Sequence, residues 1–252
     1  IRGDDPVNAA LSLGRMHDTR ALPGLFAVAS DARAEVDSRV EALELIAEIR
    51  DWNRMDKLEA LLSDKELRVA RAAALALAAM RVDLGKELLR DALYDDDPAV
   101  RDRAALALGR LGDPAAVPGL IEALGRDDLK IREDAIRLLG ELRDPLAVEP
   151  LIETIPEERT RYLSVLALGQ IGDPRAYPTL VDVLAYDTHT DVRGYAVVAL
   201  GWMGLPRAIP MLLRVLADET EIKWTPEALV RLGAVGEGPL YGTDAAKGEK
   251  AL

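Results

Sequence analysis

Side chains able to carry out chemistry are few in this sequence and widely scattered. The two histidines, His17 and His189, lie far apart, each in or beside a run of turn residues. Neither has the neighbours that a proton relay or a metal site needs, and each reads as a surface turn residue. There is no cysteine, which excludes a thiolate nucleophile, a thiolate metal site and any disulfide. Adjacent acids such as Glu157 and Glu158 match an ordinary solvated turn and lack a partner that would tune them for acid–base work. No G-x-S-x-G elbow or phosphate-cradling glycine loop occurs. The sequence therefore predicts a protein that is not an enzyme and holds no metal or cofactor.

Recognition is better provided for. Tyr162, Leu163, Leu166 and Gln170 are followed by Tyr195, Val198 and Trp202, and then by Val230. Tyrosine and tryptophan combine a large apolar area with a polar tip, the composition of interface hot spots. Whether these residues can meet depends on the elements that carry them.

Those elements recur. Gly14, Ala47, Ala78, Gly109, Gly140, Gly169, Gly201 and Gly233 follow one another at intervals of 29 to 33 residues, a period that marks stacked helix pairs. Inner helices containing these small residues are expected near 6–16, 36–49, 66–80, 98–111, 129–142, 159–171, 190–203 and 224–235. Outer helices are expected near 19–30, 52–63, 83–94, 114–125, 145–155, 174–186 and 206–217. Gly112, Gly172, Gly204 and Gly236 fall three residues after the aligned position, where a left-handed residue stops a helix. Asp113, Asp144 and Asp173, each followed by proline, suit a helix cap with proline in the first turn. Asp18 and Asp51 hold the same place without the proline, and Val82, Leu205 and Glu237 depart from the pattern. Since the aligned positions are only Gly or Ala, a neighbouring helix should pass too close for a larger side chain.

Arg39, Arg101, Arg132, Arg161 and Arg193 lie eight residues before the aligned position, near acidic turns such as Asp95–Asp97 and Asp127–Asp128. A ladder of arginines bonded to neighbouring turns would hold the repeats in register; an anion site is the functional alternative. At about 100° per residue, positions −1, −5 and +2 share a core face, as with Leu108, Ala104 and Leu111. Positions −7, −3 and +1 form the opposite, groove-lining stripe. Position −3 holds Leu11, Glu44, Leu75, Leu106, Arg137, Leu166, Val198 and Val230, aliphatic in six of eight repeats. The stripe is Glu133, Arg137 and Glu141 in the fifth repeat, and it widens into the aromatic set in the sixth and seventh. A contiguous exposed apolar patch marks a binding site, unless tight curvature or the C-terminal tail buries it within the chain.

The stretches DPAVRDRAALALGRLGDPAAVPGLIEAL, IREDAIRLLGELRDPLAVEPLIETI, TRYLSVLALGQIGDPRAYPTLVDVL and DVRGYAVVALGWMGLPRAIPMLLRVL resemble HEAT-like repeats of the phycobilisome-lyase type. The resemblance is close from about 97 to 217 and looser from 6 to 96. It implies an all-α fold, a right-handed α-solenoid of about seven and a half HEAT-like helix pairs over residues 1–238, with 239–252 a Gly-rich tail. It also implies a concave face lined by inner helices and used mostly to bind proteins. Some relatives assist bilin attachment, and others are hydroxylases with paired His-Glu motifs or DNA-repair proteins. This sequence has no His-Glu pair, so the hydroxylase activity is not carried over.

Formal net charge is −12, from 44 acidic and 32 basic residues. With no Lys/Arg run, nucleic acid is an unfavourable partner. No apolar run of about 18 residues occurs, so no membrane insertion is expected. The expected partner is a protein or peptide in the concave groove. A chromophore or small-molecule carrier using the same apolar groove is the first alternative, and a structural segment of a larger assembly the second. The chain opens on Ile1, without an initiator methionine or signal-peptide pattern, on an inner helix without its outer partner. That reads as a processed or excised piece, continued upstream by further repeats or covered by another chain. The cytoplasm is the default compartment, and a removed secretion signal would leave export open.

Overall fold

A computed structural model describes residues 6–50 and 54–218. Val230, Asp51, Gly233, Gly236, the helix expected at 224–235 and the tail lie outside these residues. The described residues contain helices and turns and no strand. No described helix is long and apolar enough to cross a membrane. The chain divides into two compact units, Ile1–Leu120 and Ile121–Leu252.

In the first unit the helices are α1 (Pro6–Arg15), α2 (Leu22–Ser30), α3 (Val36–Ile49), α4 (Met55–Leu61), α5 (Leu67–Ala79), α6 (Lys86–Ala92) and α7 (Pro98–Arg110). Helix α8 (Val117–Ala123) runs across the unit boundary. The second unit continues with α9 (Leu129–Leu142), α10 (Val148–Glu153), α11 (Arg161–Ile171), α12 (Tyr177–Tyr186), α13 (Thr190–Met203) and α14 (Ile209–Asp218). Odd-numbered helices are the inner helices of the repeat and even-numbered ones the outer helices. Inner helices pack on one another, α3 on α5 and α5 on α7 in the first unit, α9 on α11 and α11 on α13 in the second. Leu25, Leu43, Ile46, Leu77 and the ring of Phe26 are fully buried in the first unit, and Ile136, Leu139, Leu168 and Leu200 in the second.

The inner helices match the expected spans to within two residues. The outer helices are shorter than expected, because each of five corners begins with a separate 3-10 turn: Thr19–Ala21, Pro114–Ala116, Pro145–Ala147, Pro174–Ala176 and Pro206–Ala208. A second proline explains most of them. Pro118 has no N–H with which to bond the Pro114 carbonyl four residues back, so Val117 donates to that carbonyl at the tighter spacing instead. Pro23, Pro178 and Pro210 stand in the same relation to Thr19, Pro174 and Pro206. Asp18, Asp113, Asp144 and Asp173 each accept a hydrogen bond from the backbone N–H two residues on, so they cap the 3-10 turns rather than the α-helices. Asp97 and Asp128 cap inner helices α7 and α9 in the same way.

Every described corner turns on one left-handed residue, three positions after the aligned small residue. Gly112, Gly172 and Gly204 serve in three corners, and His17, Arg50, Arg81 and Arg143 in the other four, with φ between 52° and 58°. A left-handed conformation costs a residue with a Cβ on the order of 1 kcal/mol. Position, and not glycine itself, defines the corner.

Gly140 and Gly169 sit where helices nearly touch. A Cβ on Gly169 would lie 2.5 Å from the Cα and 2.6 Å from the Cβ of Ala199 on α13. That distance leaves no room for even a methyl group, and the contact is with backbone that cannot rotate away.

Arginines lock the inter-repeat turns. Arg39 is almost wholly buried, donates from Nε to the Ala29 carbonyl at 2.9 Å and grips the Asp64 carboxylate with both terminal nitrogens. Arg132 donates to the Arg126 carbonyl at 2.8 Å and to Glu157 at 2.5 Å. Arg161 donates to the Ile155 carbonyl and to Asp187, both at 2.8 Å. Arg101 and Arg193 reach the carbonyls of Asp95 and Asp187. In the third repeat Ala70 holds the usual arginine position, and Arg71, one residue later, reaches Asp95 at 2.5 Å. The Arg39 guanidinium is the main cause holding Asp64 below the usual carboxylate range, working against burial. Burial pushes Asp187 up, but the His189 backbone N–H, the Arg161 guanidinium and the His189 ring together outweigh it, and the net shift is downward.

A second set of arginines ties the corners along the opposite edge of the second unit. Arg175 donates to the Pro145 carbonyl at 2.8 Å, and Arg207 to the Pro174 carbonyl at 3.1 Å. The Arg207 guanidinium also lies over the Tyr177 ring, 4.0 Å from its centroid.

Three outcomes follow for stability. Arg143→Gly should raise it by about 0.5–1 kcal/mol by relieving the left-handed strain, a rise of about 1–4 °C in Tm for a chain of this size; an unchanged Tm would contradict this. Gly169→Ala should lower stability by about 1–3 kcal/mol through overpacking, although alanine is the better helix former by about 1 kcal/mol; thermal unfolding checks the sign. A carboxyl with a depressed folded pKa contributes stability above its unfolded pKa and loses it as pH falls through the folded value. Asp187→Asn keeps the turn hydrogen bond but should cost about 2 kcal/mol at pH 7, with the difference from wild type closing below about pH 4. A difference that stays constant with pH would rule out the charge as its source.

Candidate docking face

The aromatic set belongs to the second unit, on α11 and α13. Position follows from helix geometry: Tyr162, Leu166 and Gln170 recur every four residues along α11, and Val198 and Trp202 do so along α13, so each helix presents one stripe. The opposite sides of the helices supply Val165, Leu168, Val197 and Leu200 to the core. The close approach at Gly169 and Ala199 then brings the stripes side by side.

The structure brings together Tyr162 and Tyr195, whose ring centroids are 5.6 Å apart and tilted by 38°. Tyr162 is 36% exposed, while Leu163, Leu166, Gln170, Tyr195, Val198 and Trp202 are half-buried. Half-burial distinguishes these residues from the core, where the equivalent aliphatic positions are closed to solvent. Gln170 leans towards α9, so that its Oε1 lies 2.3 Å from where a Cβ on Gly140 would stand. The stripes of α9, α11 and α13 are therefore neighbours.

Charge enters at the edges of this face. On α9 the stripe consists of Glu133, Arg137 and Glu141, with Arg137 bonded to Asp134 at 2.9 Å. At the N-terminal ends of α11 and α13, Tyr162 and Tyr195 line an open depression of about 290 Å³ with Glu158, Arg161, His189 and Asp191. His189 lies 3.4 Å from Glu158 and 3.4 Å from Asp187, and remains a turn residue. His17 also sits in a corner, 3.6 Å from Glu48. Among the described residues no group of His, Asp and Glu has the arrangement of a metal site.

The first unit's inner face differs. At position −3 Leu11 and Leu106 are buried, while Leu75 and Glu44 are half-exposed. Arg103 on α7 reaches past α5 to an ion pair with Glu44 on α3, and Arg68 pairs with Asp37 at 2.8 Å. Leu75 lines a depression with Arg68, Arg71, Asp97 and Arg103. The sequence pattern did not reveal the Arg103–Glu44 pair, since the two are 59 residues apart and Arg103, at −6, is off the stripe.

Comparison with known proteins agrees with this architecture. The sequence signature of HEAT repeats matches residues 86–159 and 148–229. No curated protein sequence matches the chain. Among solved structures, a mutant form of Kap121p is similar at 14% identity with a TM-score of 0.51, over 88% of this chain and 30% of that one. The complex of CpcE and CpcF of phycocyanin lyase from Nostoc sp. PCC7120 is similar at 17% identity with a TM-score of 0.44, over 92% and 91% of the two chains. Human deoxyhypusine hydroxylase in complex with glycerol is similar at 28% identity with a TM-score of 0.40, over 80% and 81%. The Kap121p likeness bears on the fold alone, and the other two support no argument about activity. Because the repeat signature spans more than half of the sequence, the chain belongs to the family of HEAT-repeat proteins.

Proposed function

We propose that this chain is a non-catalytic scaffold that docks a partner protein or peptide on the inner face of α11 and α13. The reading takes residues 1–238 as one array of HEAT-like pairs and 239–252 as a tail. The observation that carries it is the half-buried stripe of Tyr162, Leu166, Tyr195, Val198 and Trp202, laid side by side on two packed helices. A surface of this kind gains by losing water to a partner, at about 25 cal/mol per Å² of apolar area covered, and aromatic anchors concentrate that gain.

A chromophore or small-molecule carrier would use the same residues, but it needs a pocket that encloses most of its ligand. The depression beside Tyr162 and Tyr195 is open, which favours a docking face. A partner that lies along an open face can be a helix or an extended strand of peptide.

Capture from native lysate tests the reading. Wild type should recover a partner that the Tyr195→Ala/Trp202→Ala variant loses by at least about tenfold, since two hot-spot truncations cost roughly 2 kcal/mol or more. Recovery of the same proteins at the same level by both forms, with equal helical circular dichroism, would overturn the docking face. The carrier reading predicts visible absorbance in the native protein, or uptake of a tetrapyrrole; a colourless protein that takes up none would count against it.

A further inference from the structure

We infer that the docked partner is a basic, apolar segment. It sets an arginine or lysine side chain against Tyr162 and Tyr195 and lays apolar side chains over Leu166, Val198 and Trp202. The inference rests on the docking reading above and adds the partner's chemistry.

Charge complementarity carries it. The Tyr162–Tyr195 pair shares its depression with Glu158 and Asp191. Both carboxylates are exposed; Asp191 has no ion pair among the described residues, and Glu158 meets only the His189 ring at 3.4 Å. The one arginine in the lining is already committed: Arg161 donates to Asp187 and to the carbonyls of Ile155 and Pro156. Nearby, Arg193 is bonded to the Asp187 carbonyl and the Thr190 hydroxyl. The depression therefore presents an incoming group with the Tyr162–Tyr195 pair and with two carboxylates that no arginine of the lining neutralises. A guanidinium or ammonium satisfies both at once, through the ring quadrupoles and through ion pairing. A carboxylate or phosphate would meet repulsion from Glu158 and Asp191 within the depression, whose one arginine is already paired; the exposed Arg159 lies outside the lining.

The other border of the face has the same sign. On α9, Glu133 and Glu141 carry no ion pair among the described residues, while Arg137 is held by Asp134. Basic residues of a partner thus find carboxylates on both sides of the apolar stripe.

Spacing narrows the pattern further. Tyr162, Leu166 and Gln170 are separated by four residues each, about 6 Å of rise per step. An extended segment advances about 3.3 Å per residue. Every second side chain of such a segment would fall on successive steps, giving a basic residue, then an apolar one two positions away, then another two further on. A helical partner would show the same order at intervals of four.

A random twelve-residue peptide library displayed on phage, selected against the full chain, tests this. Three forms are compared: wild type, Glu158→Gln/Asp191→Asn, and Leu166→Ser/Trp202→Ala, each checked for native helical circular dichroism. Wild type should enrich peptides with Arg or Lys two or four positions from apolar residues. Neutralising the two exposed carboxylates should remove that basic preference, with a loss of roughly fivefold in affinity for the selected peptides, while the apolar preference persists. Apolar enrichment without a basic residue in wild type would overturn this inference and leave the docking face standing. No enrichment, or enrichment unchanged by Leu166→Ser/Trp202→Ala, would overturn both.

Discussion

Within each unit, a guanidinium held between consecutive turns governs how inner helices meet, α3 with α5 and α5 with α7 in the first and α9 with α11 and α11 with α13 in the second. Arg39, Arg71, Arg132 and Arg161 each reach a carboxylate 24 to 26 residues further along, in the turn that begins the following repeat. Arg39 also bonds the Ala29 carbonyl in the last turn of α2, and Arg132 and Arg161 bond carbonyls of the turn just before their own helices. Arg39 is 3% exposed, and a charge so removed from water is tolerated only when its donors are matched. For Arg39 the requirement runs in both directions, because its bond satisfies the Ala29 carbonyl in the last turn of α2. Register between repeats is thereby fixed, and with it the alignment of stripes on neighbouring inner helices. Tyr162 meets Tyr195 because of that alignment.

Small residues complete the constraint. The guanidinium contacts set translation along the stack, while Gly169 against Ala199 sets how closely α11 and α13 approach. The closer the helices, the more nearly continuous the surface their stripes form. The two units then use similar scaffolding for different surfaces. In the first, Arg103 pairs with Glu44 and shares with Leu75 a depression lined also by Arg68, Arg71 and Asp97. In the second, residues at the stripe positions of α11 and α13 carry no charge, and the apolar face stays accessible. A shared repeat fixes geometry, and the residues at a few positions decide what that geometry presents.

Much of this was legible in the sequence, since it depends on local rules repeated many times. The small-residue period located the inner helices, and the aspartates marked the corners. Less legible was anything that depended on backbone conformation alone. Arg50, Arg81 and Arg143 turn corners as Gly112 does, yet nothing in an arginine announces a left-handed residue. The 3-10 turns required noticing two prolines four apart, and one signal for the corner arginines was the repeated Pro-Arg-Ala at 174–176 and 206–208. Long-range pairs such as Glu44 with Arg103 were invisible because the pattern gives faces and not side-chain reach. Leu106, with the same stripe position as Leu166, is buried while Leu166 is half-open; which neighbours cover a position is a tertiary property.

The central claim is that a partner covers the α11–α13 face. Site-specific photocrosslinking in the cell tests it most directly, with a photoreactive side chain placed in turn at 166, at 198 and at the exposed corner position 146. The account predicts a crosslinked species of higher mass from 166 and 198 and none from 146. Crosslinking at 146 alone, or at none of the three, would contradict it.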